Sequence, residues 1–209
     1  MRLLENAWLL VLIKMTLCSG IKVFENGERL FLTTQERRQF RTTINKLPVQ
    51  QRLFCRILYY TGCKIGEATT FLPNQLCAED GTILLGNKGE HLSERLVPVP
   101  PALMMEFSIH FPTSKMMANR PLWSISRSKG WRIVNEAMDQ AGISGKHATP
   151  TGLRHSFAIS CLEMWPKISL SQIQRWLGHR SLDLTLSYYK AFASADEVDA
   201  NLEDLWSHF

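Results

Sequence analysis

Long hydrophobic runs are scarce in this 209-residue chain. The stretch Ala7 to Ile13 is framed by Glu5 and Lys14, far short of the roughly 20 apolar residues that cross a bilayer. Lys14 also breaks any signal-like core, and no A-x-A site follows, so the stretch reads as an N-terminal helix on the core or as a remnant of something longer upstream. Cysteines are few and odd in number: Cys18, Cys55, Cys63, Cys77 and Cys161. None forms a C-x-x-C pair, which argues against a disulfide framework or a zinc ribbon and for a reduced, intracellular protein without a metal. No segment rich in Gly, Ser or Pro divides the chain, and no repeat period is present. With 45% hydrophobic and 21% charged residues, a wholly disordered chain is excluded.

Charge of one sign is missing from two places. Arg120 to Arg132 holds Arg120, Arg127, Lys129 and Arg132 and no acid. The tail 193–209 holds Asp196, Glu197, Asp199, Glu203 and Asp204 and no Lys or Arg. The net charge of +5 therefore understates a basic body. Such a body suits a polyanionic partner, of which nucleic acid is the usual one.

What is there is mostly helical periodicity. Thr33-x-x-Glu36 reads as a capping box ahead of Phe40, Ile44 and Leu47, and Pro48 closes that helix. Leu53, Phe54, Ile57, Leu58 and Thr61 continue with a second one, and Glu67 to Leu72 suggests a short third. Thr82–Leu85 and Arg95–Val99 are extended runs around Gly86-Asn-Lys-Gly89, which predicts a β-hairpin or two strands joined by a slightly longer loop. Trp131, Val134, Ala137 and Met138 share a helical face, and Trp131 and Trp176 are expected in the core. Further helices are expected over Leu153 to Leu162, after the Ser169-x-x-Gln172 cap, and from Leu182 to Phe192. Ser194-x-x-Glu197 then resembles another capping box, before an apolar stripe of Val198, Leu202, Leu205 and Phe209. The expected class is α+β, mainly helical, with a small antiparallel sheet. The expected division is an N-terminal segment 1–30, a main domain 31–192 and an acidic amphipathic helix 193–209.

Four blocks carry the chemistry: Thr61-Gly-Cys-Lys-Ile-Gly-Glu67, Gly86-Asn-Lys-Gly89, Thr149-Pro-Thr-Gly-Leu-Arg-His155, and Leu177-Gly-His179 followed by Thr185 and Tyr188. Metal-free cleavage of a phosphodiester needs a nucleophile, cations for the phosphate oxygens and an acid for the leaving oxygen. A tyrosine phenol can attack phosphorus, guanidinium groups grip nonbridging oxygens in bidentate fashion, and a lysine on a turn can protonate the departing 5′-oxygen.

The blocks, in this order and spacing, resemble the catalytic domain of the tyrosine recombinases, the phage-integrase family. The resemblance covers about residues 30–192. It implies that fold, a site-specific recombinase acting through a 3′-phosphotyrosyl intermediate, and no cofactor. It also implies double-stranded DNA as partner, a homo-oligomer (a tetramer) on that DNA, no membrane, and a cytoplasmic, nucleoid-associated location. By resemblance Tyr188 is the nucleophile, Arg154 clamps the scissile phosphate, Lys88 is the general acid and His179 donates to a phosphate oxygen. Glu67 supports the site from behind, while His155, also family-like, reads as structural. Arg127, Lys129 and Arg132 form either a solvated face or a contact to the DNA backbone.

Two positions depart from the family pattern. Its first arginine falls on Lys64, which keeps the charge and loses the fork. Its histidine three residues before the second arginine falls on Thr151, which cannot shuttle a proton near neutral pH. His147, seven residues before Arg154, is not expected to substitute. A DNA-binding protein of the same fold with little catalysis is therefore the alternative, and a type IB topoisomerase a third. The N-terminal segment is too short for the family's clamp-completing helical domain, which fits a short single-domain member or a truncated piece.

Overall fold

A computed structural model describes residues 21–86, 94–111, 119–164 and 167–196, with side chains described as far as residue 190. Lys88 and all of 1–20 and 197–209 lie outside the described residues. The architecture is the mainly helical α+β class expected, with eight α-helices and two small antiparallel sheets among the described residues.

A hairpin of β1 (Phe24–Glu25) and β2 (Glu28–Arg29) comes first, turning on Asn26 and Gly27 at φ 52° and 79°. The sequence pattern above did not predict it, although Asn-Gly is the strongest short-range hairpin signal. Helix α1 (Thr34–Ile44) carries the predicted capping box: the Thr33 hydroxyl accepts from the Glu36 amide at 3.2 Å and the Glu36 carboxylate accepts from the Thr33 amide at 2.8 Å. Helix α2 (Val49–Thr61) buries Leu53, Phe54, Ile57, Leu58 and Thr61. It stops at Gly62, whose φ of 59° belongs to the left-handed region. Helix α3 (Ile65–Thr69) begins two residues before the short helix expected there and ends three residues earlier, because Glu67 serves as its first-turn cap partner.

The predicted hairpin is present. Strands β4 (Thr82–Leu85) and β5 (Arg95–Pro98) pair antiparallel with Ile83 opposite Val97 and Leu85 opposite Arg95, and β3 (Leu76–Cys77) adds to the edge of β4. Ile83, Leu85 and Val97 are buried while Leu96 faces outward, the period-two pattern of a sheet with one covered face. Helices α4 (Pro101–His110) and α5 (Arg127–Gln140) follow.

On α5 the buried stripe is Gly130, Ile133, Val134, Ala137 and Met138. Trp131, placed in the core by the sequence, is 50% exposed. It stands at the edge of the stripe, about 20° around the helix from Met138 and about 160° from Ile133 at the far edge, and its ring projects past the face that packs. Trp176, by contrast, packs partly buried against the core as expected.

Helix α6 (Pro150–Leu162) is capped by Thr149, so Thr151 lies in its first turn rather than before it. Helix α7 (Leu170–Leu177) has the predicted Ser169/Gln172 box and ends at Gly178, φ 66°. Helix α8 (Leu182–Asp196) runs through Ser194, which therefore does not start a new helix; the rest of the proposed acidic helix lies outside the described residues. Among the described residues no helix is long and apolar enough to cross a membrane.

Two hydrophobic clusters result. The larger joins α1 to α5, the three-stranded sheet and Leu153 at the start of α6. The smaller gathers Val23, Ala158, Ile159, Cys161, Leu162, Ile173, Leu177 and Tyr188 between α6, α7 and α8. The partly buried rings of Phe157 and Trp176 touch both.

Candidate active site

The seam between the two clusters collects the four sequence blocks. Helix α6 starts where it does because the Thr149 hydroxyl accepts from the Gly152 amide at 3.0 Å and Pro150 stands at the first helical position. Gly152 is required there: a Cβ would lie 1.9 Å from the His147 carbonyl oxygen. Arg154 follows one turn into the helix. Its Nη1 donates to the Gly62 carbonyl at 2.7 Å and its Nη2 to the Leu177 carbonyl at 2.6 Å. One guanidinium thus pins the end of α2 to the end of α7. Burial pushes the Arg154 pKa down, but a guanidinium remains charged at neutral pH.

Arg95 makes the complementary tie. Its Nη1 and Nη2 donate to the two carboxylate oxygens of Glu67 at 2.7 and 3.0 Å, and its Nε to the Trp176 carbonyl at 2.7 Å. Glu67 also accepts from the Lys64 amide at 2.7 Å. Burial alone would raise the Glu67 carboxyl; the Arg95 fork outweighs it and holds the group below its usual range. Glu67 therefore supports the first block from behind, and it does so through Arg95, which the sequence pattern showed only as a strand residue.

Gly178 turns the chain at the end of α7 and presents His179. The His179 Nδ1 lies 2.9 Å from the Thr185 hydroxyl on α8. If that hydroxyl donates, Nε2 carries the ring proton. Among the described residues this Nε2 is buried and without a hydrogen-bond partner. Burial, followed by the charges of Arg154, Arg95 and Lys64, pushes the His179 pKa down to about 4. Three cationic side chains thus bear on one orphaned, neutral ring nitrogen, which is an N–H donor suited to an oxyanion in the tautomer where the Thr185 hydroxyl donates.

Tyr188 is fully buried. Its ring stacks on His179 with centroids 5.9 Å apart at 8°, and its hydroxyl lies 2.7 Å from His155 Nδ1. Burial pushes the phenol up to about 12 and His155 down to about 4, so both groups are neutral, and the His155 tautomer sets which of the two donates. The sequence reading passed over His155 as structural and gave no sign of this contact.

Other predicted positions are exposed or paired elsewhere. Lys64 and Thr151 are exposed, Lys64 at the start of α3 and Thr151 on the first turn of α6. His147 is paired with Glu36 at 3.2 Å. Arg127, Lys129 and Arg132 are exposed on the first turns of α5, where Arg132 is 3.8 Å from Glu136. Among the described residues no group of His, Cys, Asp and Glu is arranged to hold a metal.

Comparison with known proteins gives a consistent picture. Residues 30–195 match the phage integrase family. The tyrosine recombinase XerA of Pyrococcus furiosus is 31% identical over 172 residues, which cover 78% of this chain and 57% of that protein. The chain thus spans little more than half the length of this relative. Among solved structures, the crystal structure of XerA recombinase superposes with a TM-score of 0.67 at 22% identity, covering 80% of this chain and 64% of that one. The catalytic domain of bacteriophage HP1 integrase gives 0.59 at 21% identity, covering 83% and 96%.

Proposed function

This chain belongs to the phage integrase family, and from that membership we propose that it is a site-specific DNA recombinase, cleaving and rejoining strands through a 3′-phosphotyrosyl intermediate. The observation that carries the reading is the buried, unpartnered Nε2 of His179 under the charges of Arg154, Arg95 and Lys64. A nonbridging phosphate oxygen is the anion that this set accepts. Arg154 and Lys64 neutralise the scissile phosphate, His179 donates to it, and Glu67 holds the Lys64 backbone in place. Tyr188 attacks phosphorus. Lys88, which falls between β4 and β5 in sequence, protonates the leaving 5′-oxygen. Thr151, exposed on the first turn of α6, contributes at most a hydroxyl. The bond energy is kept in the phosphotyrosine, so the chemistry calls for no nucleotide and no metal.

The partner is double-stranded DNA, on which the chain works as a homo-tetramer in the cytoplasm, at the nucleoid. Arg127, Lys129 and Arg132 serve as contacts to the DNA backbone.

Covalent trapping tests the reading. Nicked suicide duplexes tiled from the chain's genetic neighbourhood should give a detergent-stable protein–DNA adduct that Tyr188→Phe abolishes. Lys64→Arg should speed its formation, since a fork replaces a point charge; loss of one preorganised donor costs ~10²–10³ in rate, which bounds the gain. A second reading has a specific basis: the lysine and threonine at positions 64 and 151 suit a DNA-binding protein of this fold with little catalysis. Specific binding to one duplex with no adduct at any time would select it.

A further inference from the structure

The neutral imidazole of His179 has one ring proton and two nitrogens that can carry it. Nδ1 lies 2.9 Å from the Thr185 hydroxyl, while Nε2 is buried with no hydrogen-bond partner among the described residues. We propose that Thr185 is a positioning residue that sets the His179 tautomer by reversing its own role: its hydroxyl accepts from Nδ1–H in the free protein and donates to Nδ1 once a phosphate oxygen stands at Nε2. The inference rests on the reading of the site as one that holds the scissile phosphate.

Thr185 is fully buried on α8. Hydroxyls inside helices commonly turn back to the carbonyl four residues earlier, and Thr61, Ser156 and Ser160 do so here at 2.6–2.7 Å. Thr185 does not. Among the described residues, His179 Nδ1 is the one hydrogen-bond partner of its hydroxyl. The hydroxyl proton is therefore uncommitted, and the group can donate or accept, which a backbone carbonyl could not do. The ring, by contrast, is held. The His179 amide donates to the Gln174 carbonyl at 3.1 Å, and its carbonyl accepts from Gln174 Nε2 at 3.3 Å. Its plane lies 8° from that of the Tyr188 ring. Turning the imidazole over would break that stack, whereas moving its proton leaves the heavy atoms of the ring in place.

The sign of the charge around Nε2 decides which tautomer prevails. In the free protein Arg154, Arg95 and Lys64 bear on the ring. Positive charge favours a lone pair at Nε2 over an N–H dipole. The proton then sits on Nδ1 and is donated to Thr185. A phosphate oxygen reverses the preference. Nε2 takes a proton from solvent water, Nδ1 returns one to it, and the ring carries one proton before and after. The Thr185 hydroxyl turns and donates to the bare Nδ1, because the bond made by one ring nitrogen fixes what the other can do. Only this second tautomer offers the phosphate a donor, so the anion selects the state that binds it. Burial, followed by the nearby cations, holds the His179 pKa at about 4, so the exchange runs at neutral pH without a change in charge.

Nitrogen NMR reads the tautomer, because bare and protonated ring nitrogens resonate far apart. Tyr188→Phe protein, which keeps the ring stack and lacks the attacking hydroxyl, is labelled with nitrogen-15 in its histidines, and His179 is assigned by its loss in His179→Asn. Free, near neutral pH, it should carry the proton on Nδ1. Saturated with the duplex that covalent trapping selects, by adduct or by binding, it should carry the proton on Nε2. The same nitrogen protonated in both states overturns the proposal. Kinetics supply the second arm. Thr185→Val keeps the shape and removes the hydroxyl, and should slow adduct formation at saturating duplex about tenfold, the worth of one hydrogen bond at the upper end of its ordinary range. The half-saturating duplex concentration should not change, and Thr185→Ser should bring the rate back near that of the wild type. A folded Thr185→Val protein at the wild-type rate means that Thr185 only fills space, and overturns the proposal. If Thr185→Val fails to fold, or no duplex gives an adduct, the nitrogen spectra decide alone. Failure to bind any duplex ends the reading of the site, and the proposal with it.

Discussion

The two hydrophobic clusters differ in what they are made of. The larger is apolar side chains throughout, including Phe54, Phe71, Phe107 and Trp123 in mutual ring contact. It holds none of the groups assigned to the chemistry. The smaller has far fewer members, and its largest fully buried side chain is Tyr188, with His155 bonded to it and His179 stacked on it. One region supplies packing alone, the other also carries groups assigned to the chemistry.

Four measurements break or sharpen the contrast. The largest effect is expected from Phe54→Ala in the bigger cluster. Phe54 is fully buried, 5.7 Å from Trp123 in an edge-on contact, and its ring closes over Gly130. Truncation should cost about 3–5 kcal/mol in a denaturant titration, with DNA binding lost in the same transition. Next is Gly62→Ala, at the seam. A Cβ there would lie 2.6 Å from Phe157 Cδ1, on a residue held at φ 59°. We expect about 1–3 kcal/mol of destabilisation, together with slower adduct formation because the Gly62 carbonyl anchors Arg154.

The third is pH. Burial, chiefly, holds His155 and His179 neutral in the fold with pKa values of about 4, against 6.5 for an ordinary histidine. Between those values the unfolded chain binds more protons than the folded one. Stability is therefore complete above about pH 6.5 and drains away as pH falls towards 4. The melting temperature should drop across that window, and His155→Phe should flatten the drop; an equally steep profile in the variant would place the titration elsewhere. The smallest effect belongs to Arg132→Ala, outside both clusters. Its pair with Glu136 is exposed, so stability should change by no more than about 0.5 kcal/mol. The dependence of DNA affinity on salt should fall by about one counterion, as loss of a single phosphate contact requires.

Much of the fold was legible because its signals are local. The Thr33 and Ser169 capping boxes, the β4–β5 hairpin and the glycine ending α7 depend on residues a few positions apart, and they appear where the pattern placed them. Trp131 shares a helical face with Val134 and Met138 by spacing, but it stands at the edge of the stripe, and spacing does not report where a packed face ends. The candidate site was legible as a set of residue types at fixed spacing, not as an arrangement. Spacing names Tyr188 but says nothing of its burial, which depends on α6 and α7 closing over it. The Arg95–Glu67 ion pair spans 28 positions and crosses from strand to helix, and no periodicity reports such a pair.

Arg95 is the keystone of the site. It belongs to none of the four blocks, yet it stands at the end of the strand leading out of the second, grips Glu67 of the first and holds the carbonyl of Trp176, next to the start of the fourth. The backbone at position 64 is thereby set by Glu67 and Arg95 rather than by whatever side chain position 64 carries. A change of residue at 64 alters what meets the phosphate without dismantling the frame around it. The chain can host a lysine there because the masonry of the site is independent of that stone.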